Sequence, residues 1–410
     1  MDIVFEGDKT ILKNKIFILD EVNNGVVIDK ENVAIVMALY YGDEMDQYIS
    51  YLSVIPPQIH VFIVSSSKSV LEAGTNLQSK HKNLYVIEKE NRGRDLSALL
   101  VAFRPYIEKY NYLCFLHDKK SKHKSLNEDL SFWVENLWEN MICSEDYIGQ
   151  AIELLRTGKY GILLPPKPVG EYMDSMYTDP WDNDFENVVE LAHALQLNMS
   201  IDRDDKETVS LGSVFWCRTA ALEKLFTYNW KYTDFPEEPM PNDGTISHAI
   251  ERIFGFVAMD AGYDVGVIIN ATYASKVLMI LQNKLEYTYE WLWENMGIKN
   301  TYQLSEYQKE KECVAKLFAK GQVYLYGAGD YGIQYLQKLK TWGYMPSGFV
   351  VSDGEKSNEK IHGLSVKELS EVKRENNAVF IITTNPATQE EIALNLERKG
   401  FMDYYKAACI

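Results

Sequence analysis

Val33-Ala-Ile-Val-Met-Ala-Leu39 is an apolar run without a polar break, and its reading decides the fold. A strand with one wet face alternates polar and apolar residues. A continuous run suits a strand buried on both faces, as in a parallel sheet sandwiched between helices. Working outward, the same kind of run recurs at His60-Val-Phe-Ile-Val64, Asn83-Leu-Tyr-Val-Ile87 and Tyr112-Leu-Cys-Phe-Leu116. Helix-like segments separate them, among them Asp43 to Val54 and Asp95 to Tyr110. Strands joined by helical connectors imply βαβ units and an α/β fold, in which ligands bind beyond the carboxyl ends of the strands. Two further strands are expected at Leu211–Trp216 and Val265–Asn270, with a helix from Thr245 to Met259.

Residues 1–32 read as a lead-in and 33–275 as the first α/β domain. Residues 276–320 read as a helical linker broken at Gly297. From 321 to 410 the pattern restarts as a small α/β domain, with strands at Val323–Tyr326, Gly348–Val351 and Ala378–Thr383. The acidic, aromatic stretch from about 170 to 207 has no clean period and reads as a loop or lid. A length of 410 residues accommodates two or three domains at roughly 150 residues each.

Charge narrows the function. Forty-two Lys and Arg against 59 Asp and Glu leave a net charge of −17. Such a chain is repelled by nucleic acid and by anionic bilayers, so no nucleic-acid partner is expected. The longest apolar stretch, Val33 to Tyr41, is about half of a membrane span. Early acids (Asp2, Glu6, Asp8) and the lack of a signal-peptide pattern predict a cytoplasmic protein, at most peripheral at the inner face of the membrane. Cys114, Cys143, Cys217, Cys313 and Cys409 are odd in number and widely spaced, against a disulfide framework or cysteine-based zinc site.

Four segments carry candidate chemistry. Asn91-Arg-Gly-Arg-Asp95 follows the third strand, so Arg92 and Arg94 present two guanidinium forks at a strand-to-helix turn, suited to phosphate. His117-Asp-Lys-Lys-Ser-Lys-His-Lys124 is the densest basic island of an acidic chain and follows the fourth strand directly. Asp243 precedes a helix on which His248, Glu251 and Arg252 share a face, and such an aspartate is more often an N-cap than a catalytic carboxylate. Upstream, Ser213 and Trp216 lie in a Gly-Ser turn with aromatics that suit a sugar, or simply the core. Finally, Gly327, Gly329 and Gly332 form G-x-G-x-x-G between strand and helix, with Asp353 about twenty residues on, matching a dinucleotide fingerprint.

Together these segments resemble the rhamnan synthesis protein F family of bacterial glycosyltransferases. The carriers are Ala34–Tyr41, Asn91–Asp95, Leu116–Ser121, Gly212–Trp216 and Asp243–Arg252, in family order. The resemblance implies a GT-A-like parallel-sheet domain, with a small Rossmann-like module after it. It also implies transfer of a sugar, typically L-rhamnose from a dTDP-activated donor, to a growing cell-wall or capsular glycan. The donor side then falls to Asn91, Arg92, Arg94, Asp95, His117, Lys119, Lys120 and Ser121, and the acceptor side to Ser213 and Trp216. Asp243 is the first choice of base, with Glu251 second and His248 beside them. Where many GT-A enzymes carry Asp-x-Asp, this chain has His117-Asp-Lys-Lys-Ser121. Asp118, with His117 and His123 at a spacing that matches no familiar metal site, is the candidate ligand if Mg²⁺ or Mn²⁺ is used, at a position where relatives often carry Thr. The partners implied are a nucleotide-sugar donor, a lipid-linked or growing glycan and other polysaccharide-synthesis enzymes. Two alternatives stay open: a nicotinamide-dependent oxidoreductase or epimerase working through residues 321–410, and a non-catalytic sugar-nucleotide scaffold.

Overall fold

The computed structural model describes residues 15–19, 32–118, 136–169, 179–206, 208–241, 243–355, 360–373 and 377–407. They form two units that part between Glu286 and Tyr287. In the larger unit eight strands make one sheet: β1 (Lys15–Leu19), β2 (Val33–Ala38), β3 (His60–Ser65), β4 (Leu84–Glu88), β5 (Tyr112–His117), β6 (Tyr160–Leu164), β7 (Phe215–Arg218) and β8 (Asp264–Asn270). Their order is β1-β8-β6-β7-β5-β2-β3-β4. β7 runs antiparallel to both its neighbours, and the other pairings are parallel.

The unbroken run in β2 has the predicted consequence. Ala34, Val36 and Ala38 enter the core on one face of the sheet, and Val33, Ile35, Met37 and Leu39 enter the core on the other. None of the seven is more than 6% exposed. Burying the Val, Ile, Met and Leu side chains of this one strand contributes on the order of 10 kcal/mol. One face is covered by the segment Leu96–Tyr110 and the helices Phe185–Ala194 and Ile246–Asp260. The other is covered by Met45–Ser50, Lys68–Gln78 and Glu145–Arg156.

Local chemistry shifts several predicted elements. The helix expected from Asp95 to Tyr110 is an α-turn at Arg94–Ser97, a π-turn at Ala98–Ala102 and a 3₁₀ stretch at Arg104–Lys109. Pro105 has no N–H to continue the ladder, and Phe103 N–H reaches back to Ala98 O at 2.9 Å to close the wide turn. The strand expected at Leu211–Trp216 starts only at Phe215. Gly212 is left-handed (φ 88°), and its N–H is taken by the Glu251 carboxylate at 2.7 Å, so no ladder can begin there. Ile16–Leu19, part of the lead-in, pairs with β8 as an edge strand whose Ile16 and Ile18 face outward. Gly297 (φ 68°) separates the helices Ala271–Met296 and Thr301–Lys320.

The smaller unit has six strands: β9 (Gln322–Tyr326), β10 (Gly348–Val351), β11 (Lys360–Ile361), β12 (Leu364–Glu368), β13 (Ala378–Ile382) and β14 (Tyr404–Lys406). Their order is β11-β12-β10-β9-β13-β14, with only β11 antiparallel to its neighbour. Counting the parallel strands alone, the order is 3-2-1-4-5, that of a doubly wound sheet. Alternate residues of β9 and β13 again feed two cores, one on each face. Among the described residues of either unit, no helix is long and apolar enough to cross a membrane.

The glycine turn after β9 shows what its pattern does locally. A Cβ on Gly332 would lie 2.0 Å from the Gly327 carbonyl oxygen, whereas one on Gly329 would meet open space. Gly332→Ala should therefore destabilise this unit by about 1–3 kcal/mol. Gly329→Ala should stay within about 0.5 kcal/mol of wild type. Urea unfolding of the two variants side by side checks both.

Candidate functional site

The carboxyl ends of the parallel strands collect most of the predicted residues. Chain direction reverses its walk across the sheet between β2 and β5, which pair Ala38 with His117. That reversal is the switch point at which open α/β sheets bind ligands. Asp118 clasps it: one carboxylate oxygen accepts N–H bonds from Tyr40 at 2.6 Å and Tyr41 at 2.8 Å. His117 is buried, with Nδ1 2.8 Å from the Asp118 carbonyl oxygen. Lys119, Lys120, Ser121 and His123 lie outside the described residues.

The Asn91–Asp95 turn sits at the end of β4. Gly93 (φ 69°) and Arg94 (φ 43°) are both left-handed, a strained setting for the arginine. A Cβ on Gly93 would come within 2.5 Å of the Phe235 ring, so the loop at 233–240 presses directly on this turn. Both arginines are fastened to that loop. Arg92 Nε donates to Phe235 O at 2.7 Å, and its Nη1 is 3.5 Å from Glu237. Arg94 pairs with Glu238 at 3.5 Å and donates to Met240 O at 3.3 Å. Lys89, not singled out by the sequence reading, supports the turn from below, donating to Glu90 O at 2.7 Å and Arg92 O at 3.3 Å. Burial lowers its pKa to about 8, against the charges of Asp95, Glu238 and Glu90. Asn91 accepts from the Ser66 hydroxyl at 3.3 Å.

Three residues beyond Met240 stands Asp243, and around it lies the most perturbed group of charges in the unit. Its carboxylate accepts from the Asn183 side chain at 3.0 Å. Arg252, from the Ile246–Asp260 helix, reaches Asp184 at 3.1 Å and Asp243 at 3.7 Å. The same guanidinium donates to Pro180 O at 3.0 Å and His248 O at 3.1 Å. Asp184 has no exposed surface, while Asp243 keeps about a quarter of its side chain in solvent. Burial, with a hydrogen bond to Asp243, pushes the Asp184 carboxyl up to about 7. Burial pushes Asp243 up as well, but hydrogen bonds from Asp184 and Asn183, and the charge of Arg252, together overcome it and hold the carboxylate down at about 2. Asp182 is raised, first by burial and then by the Asp243 charge.

The remaining predicted residues hold the frame. His248 caps its own helix, with Nδ1 2.8 Å from the Thr245 hydroxyl, and burial lowers its pKa. Glu251, the second choice of base, spends its carboxylate on Gly212 N–H. Ser213 is buried beside that loop. Trp216 is fully enclosed and donates its indole N–H to Met141 O at 2.9 Å, so it offers no face to a sugar. In the smaller unit Asp353 accepts from Ser370 N at 2.8 Å and Lys399 at 2.5 Å, and that lysine leads in holding its pKa near 2. The carboxylate that a dinucleotide ribose would need is thus already engaged.

Among the described residues, Asp184, Asp243 and His248 are the one set whose donor atoms come close enough, within 4.8 Å, to hold a metal ion. Arg252 already places a positive charge on both carboxylates, and the Thr245 hydroxyl already meets the imidazole. As arranged, these residues form an ion-pair network and do not fit a metal. Asp184 and Asn183 escape sequence reading because they sit in the Trp181–Asp184 stretch, where nothing distinguishes a buried carboxylate from its exposed neighbours.

The family model for rhamnan synthesis protein F matches residues 7–263, well over half of the chain. The chain belongs to that family. The match takes in the whole of the Asn91–Asp95 turn, Asp184, Asp243 and Arg252, and stops short of the smaller unit. The chain is also similar to the uncharacterised protein WxcX of Xanthomonas campestris pv. campestris, in strain B100 and in strain ATCC 33913. In each case it is 27% identical over 252 residues, which is 58% of this chain and 33% of WxcX. It therefore spans a third of the length of these curated relatives. Among solved structures, residues 1–349 of TarS from S. aureus align over 58% of this chain and 57% of that one, at 13% identity and a TM-score of 0.28.

Removing the guanidinium should expose the dependence of this network on it. Arg252→Met leaves Asp184 buried without its counter-charge and should cost about 3–5 kcal/mol, read by urea unfolding. The pH dependence has a definite sign. Asp184, raised above the usual value near 4, contributes stability that is complete below about pH 4 and is lost as pH rises through about 7. Between about pH 5 and about pH 8 the wild-type urea midpoint should therefore fall by more than that of Asp184→Asn.

Proposed function

We propose that this member of the rhamnan synthesis protein F family is a glycosyltransferase of bacterial cell-surface polysaccharide synthesis. It moves a sugar from a nucleotide-sugar donor to a growing or lipid-linked glycan. The observation that carries the reading is Asp243: an ionised, partly exposed carboxylate, oriented by Asn183 and Arg252, beside the Arg92–Arg94 turn at the carboxyl edge of the sheet. An acceptor hydroxyl needs such a group to take its proton as it attacks the anomeric carbon.

The reaction we propose is a single displacement with inversion. The acceptor oxygen bonds to the anomeric carbon while the bond to the diphosphate oxygen breaks, and the hydroxyl proton passes to Asp243. Charge gathers on the departing diphosphate, so cations at the switch point favour the transition state. Lys119 and Lys120 follow β5 directly and are the side chains we assign to that task. L-Rhamnose carried on dTDP is the donor we would test first, on the strength of the family description. The wall or capsule glycan of the producing cell is the acceptor class, and other enzymes of its synthesis are the working partners.

Asp243→Asn keeps the shape and removes the base. Its turnover should fall by about 10²–10⁴-fold, with the thermal shift produced by dTDP unchanged. Normal transfer by this variant, measured across a panel of nucleotide sugars, would remove Asp243 from the reaction.

A further inference from the structure

Asp243 does not stand alone, and its neighbour carries an inference that rests on the glycosyltransferase reading and extends it. Asp184 opens the Phe185–Ala194 helix, which packs on the Ile246–Asp260 helix that carries Arg252. It is fully buried, and its Oδ2 has no aligned hydrogen-bond donor, although Arg252 Nη1 lies 3.1 Å away. A purely structural carboxylate in such a place is normally saturated with hydrogen bonds. This one is left with spare accepting capacity, next to a second carboxylate that is open to solvent and shares the same guanidinium.

We propose that Asp184 is the positioning residue of the base: from its buried seat it fixes the Asp243 carboxylate and shares the proton that Asp243 takes from the acceptor. When the acceptor O–H bond breaks, its electron pair forms the new bond to the anomeric carbon. The old bond's pair leaves with the diphosphate, and the proton ends between the two carboxylates. A lone carboxylate held as low as Asp243 would be a weak base at neutral pH. Two carboxylates that titrate together bind the last proton more tightly than either would alone, and burial raises the Asp184 member further. The other charged groups facing the pair are Arg252, His248 and Asp182, with Glu251 and Arg94 acting through His248. Asp182 also shares a hydrogen bond with Asp243 and feels the charges of Arg252 and Asp179, but its side chain is exposed, and Asp184 is the buried carboxylate of the group.

The test is the pH profile of transfer by the full chain. Wild type should gain activity with rising pH along a limb centred near 7. Asp184→Asn, which keeps the side chain's shape, should lose about 10- to 100-fold in kcat, and its limb should move to acid pH. Its KM for the donor should not change. Circular dichroism and the thermal midpoint confirm that the variant is folded, and Glu186→Gln, exposed on the helix that Asp184 opens and paired with Arg203, is the control expected to keep the wild-type profile. Two failures are distinguishable. If Asp243→Asn is inactive while folded Asp184→Asn keeps both the rate and the limb of wild type, the base stands and the shared proton is overturned. If Asp243→Asn transfers sugar normally, the reading of the base itself fails, and this inference with it.

Discussion

A guanidinium almost wholly withdrawn from water must find counter-charges, and Arg252 finds two carboxylates and two carbonyl oxygens. The pieces it gathers come from different parts of the chain: Pro180 and Asp184 from one loop, Asp243 from another, and His248 from its own helix. Desolvating so many charged groups is unfavourable unless they meet in good geometry. The loops before both helices are consequently held to positions that place Asp243 at the mouth of the site. Arg252 lowers both carboxylates alike; deep burial of one and the hydrogen bond between them separate the two in character, Asp184 raised to about 7 and the partly exposed Asp243 held at about 2.

The sheet supplies the other half of the arrangement. Because β3 and β4 lie to one side of β2 while β5 lies to the other, the ends of β2 and β5 leave a crevice that Asp118 bridges through the backbone of Tyr40 and Tyr41. The antiparallel β7 begins at that same edge, which brings the Gly212–Ser213 loop to it and lets Glu251 pin the loop. Arg92 and Arg94 then join the turn after β4 to the chain that leads into Asp243. Side chains that look like ligands for phosphate in the sequence are, in the fold, the fastening between the turn after β4 and the loop that leads into Asp243.

How much of this is legible in sequence depends on the range of the interaction. Unbroken apolar runs identify β2, β3 and β5, because burial on both faces is a local demand on every residue. The Tyr160-Gly-Ile-Leu-Leu164 run of β6 carries the same signal but stands outside the regular strand–helix alternation, and the edge strand at Lys15–Leu19, with Ile16 and Ile18 exposed, is not buried on both faces. Asp243 can be picked out because it precedes an amphipathic helix. Asp184 cannot, since the feature that distinguishes it is an arginine 68 residues along the chain (252 − 184). Trp216 misleads for the opposite reason: an aromatic residue at a strand looks the same whether its ring faces a sugar or the core. The glycine pattern of the smaller unit reads as a dinucleotide fingerprint, whereas in the fold Asp353 turns to Lys399 and Ser370, contacts that no spacing rule can foresee.

The contact between Gly93 and Phe235 has a consequence for the changes of length this chain tolerates. Surface loops ordinarily absorb insertions and deletions freely. Here the Phe235 ring is wedged against a backbone that has no side chain, and Asp243 must still arrive at Arg252 eight residues later. The stretch between them behaves as a ruler. Its length, more than its composition, sets where Asp243 falls, and one residue added or removed there would carry the carboxylate away from Arg252.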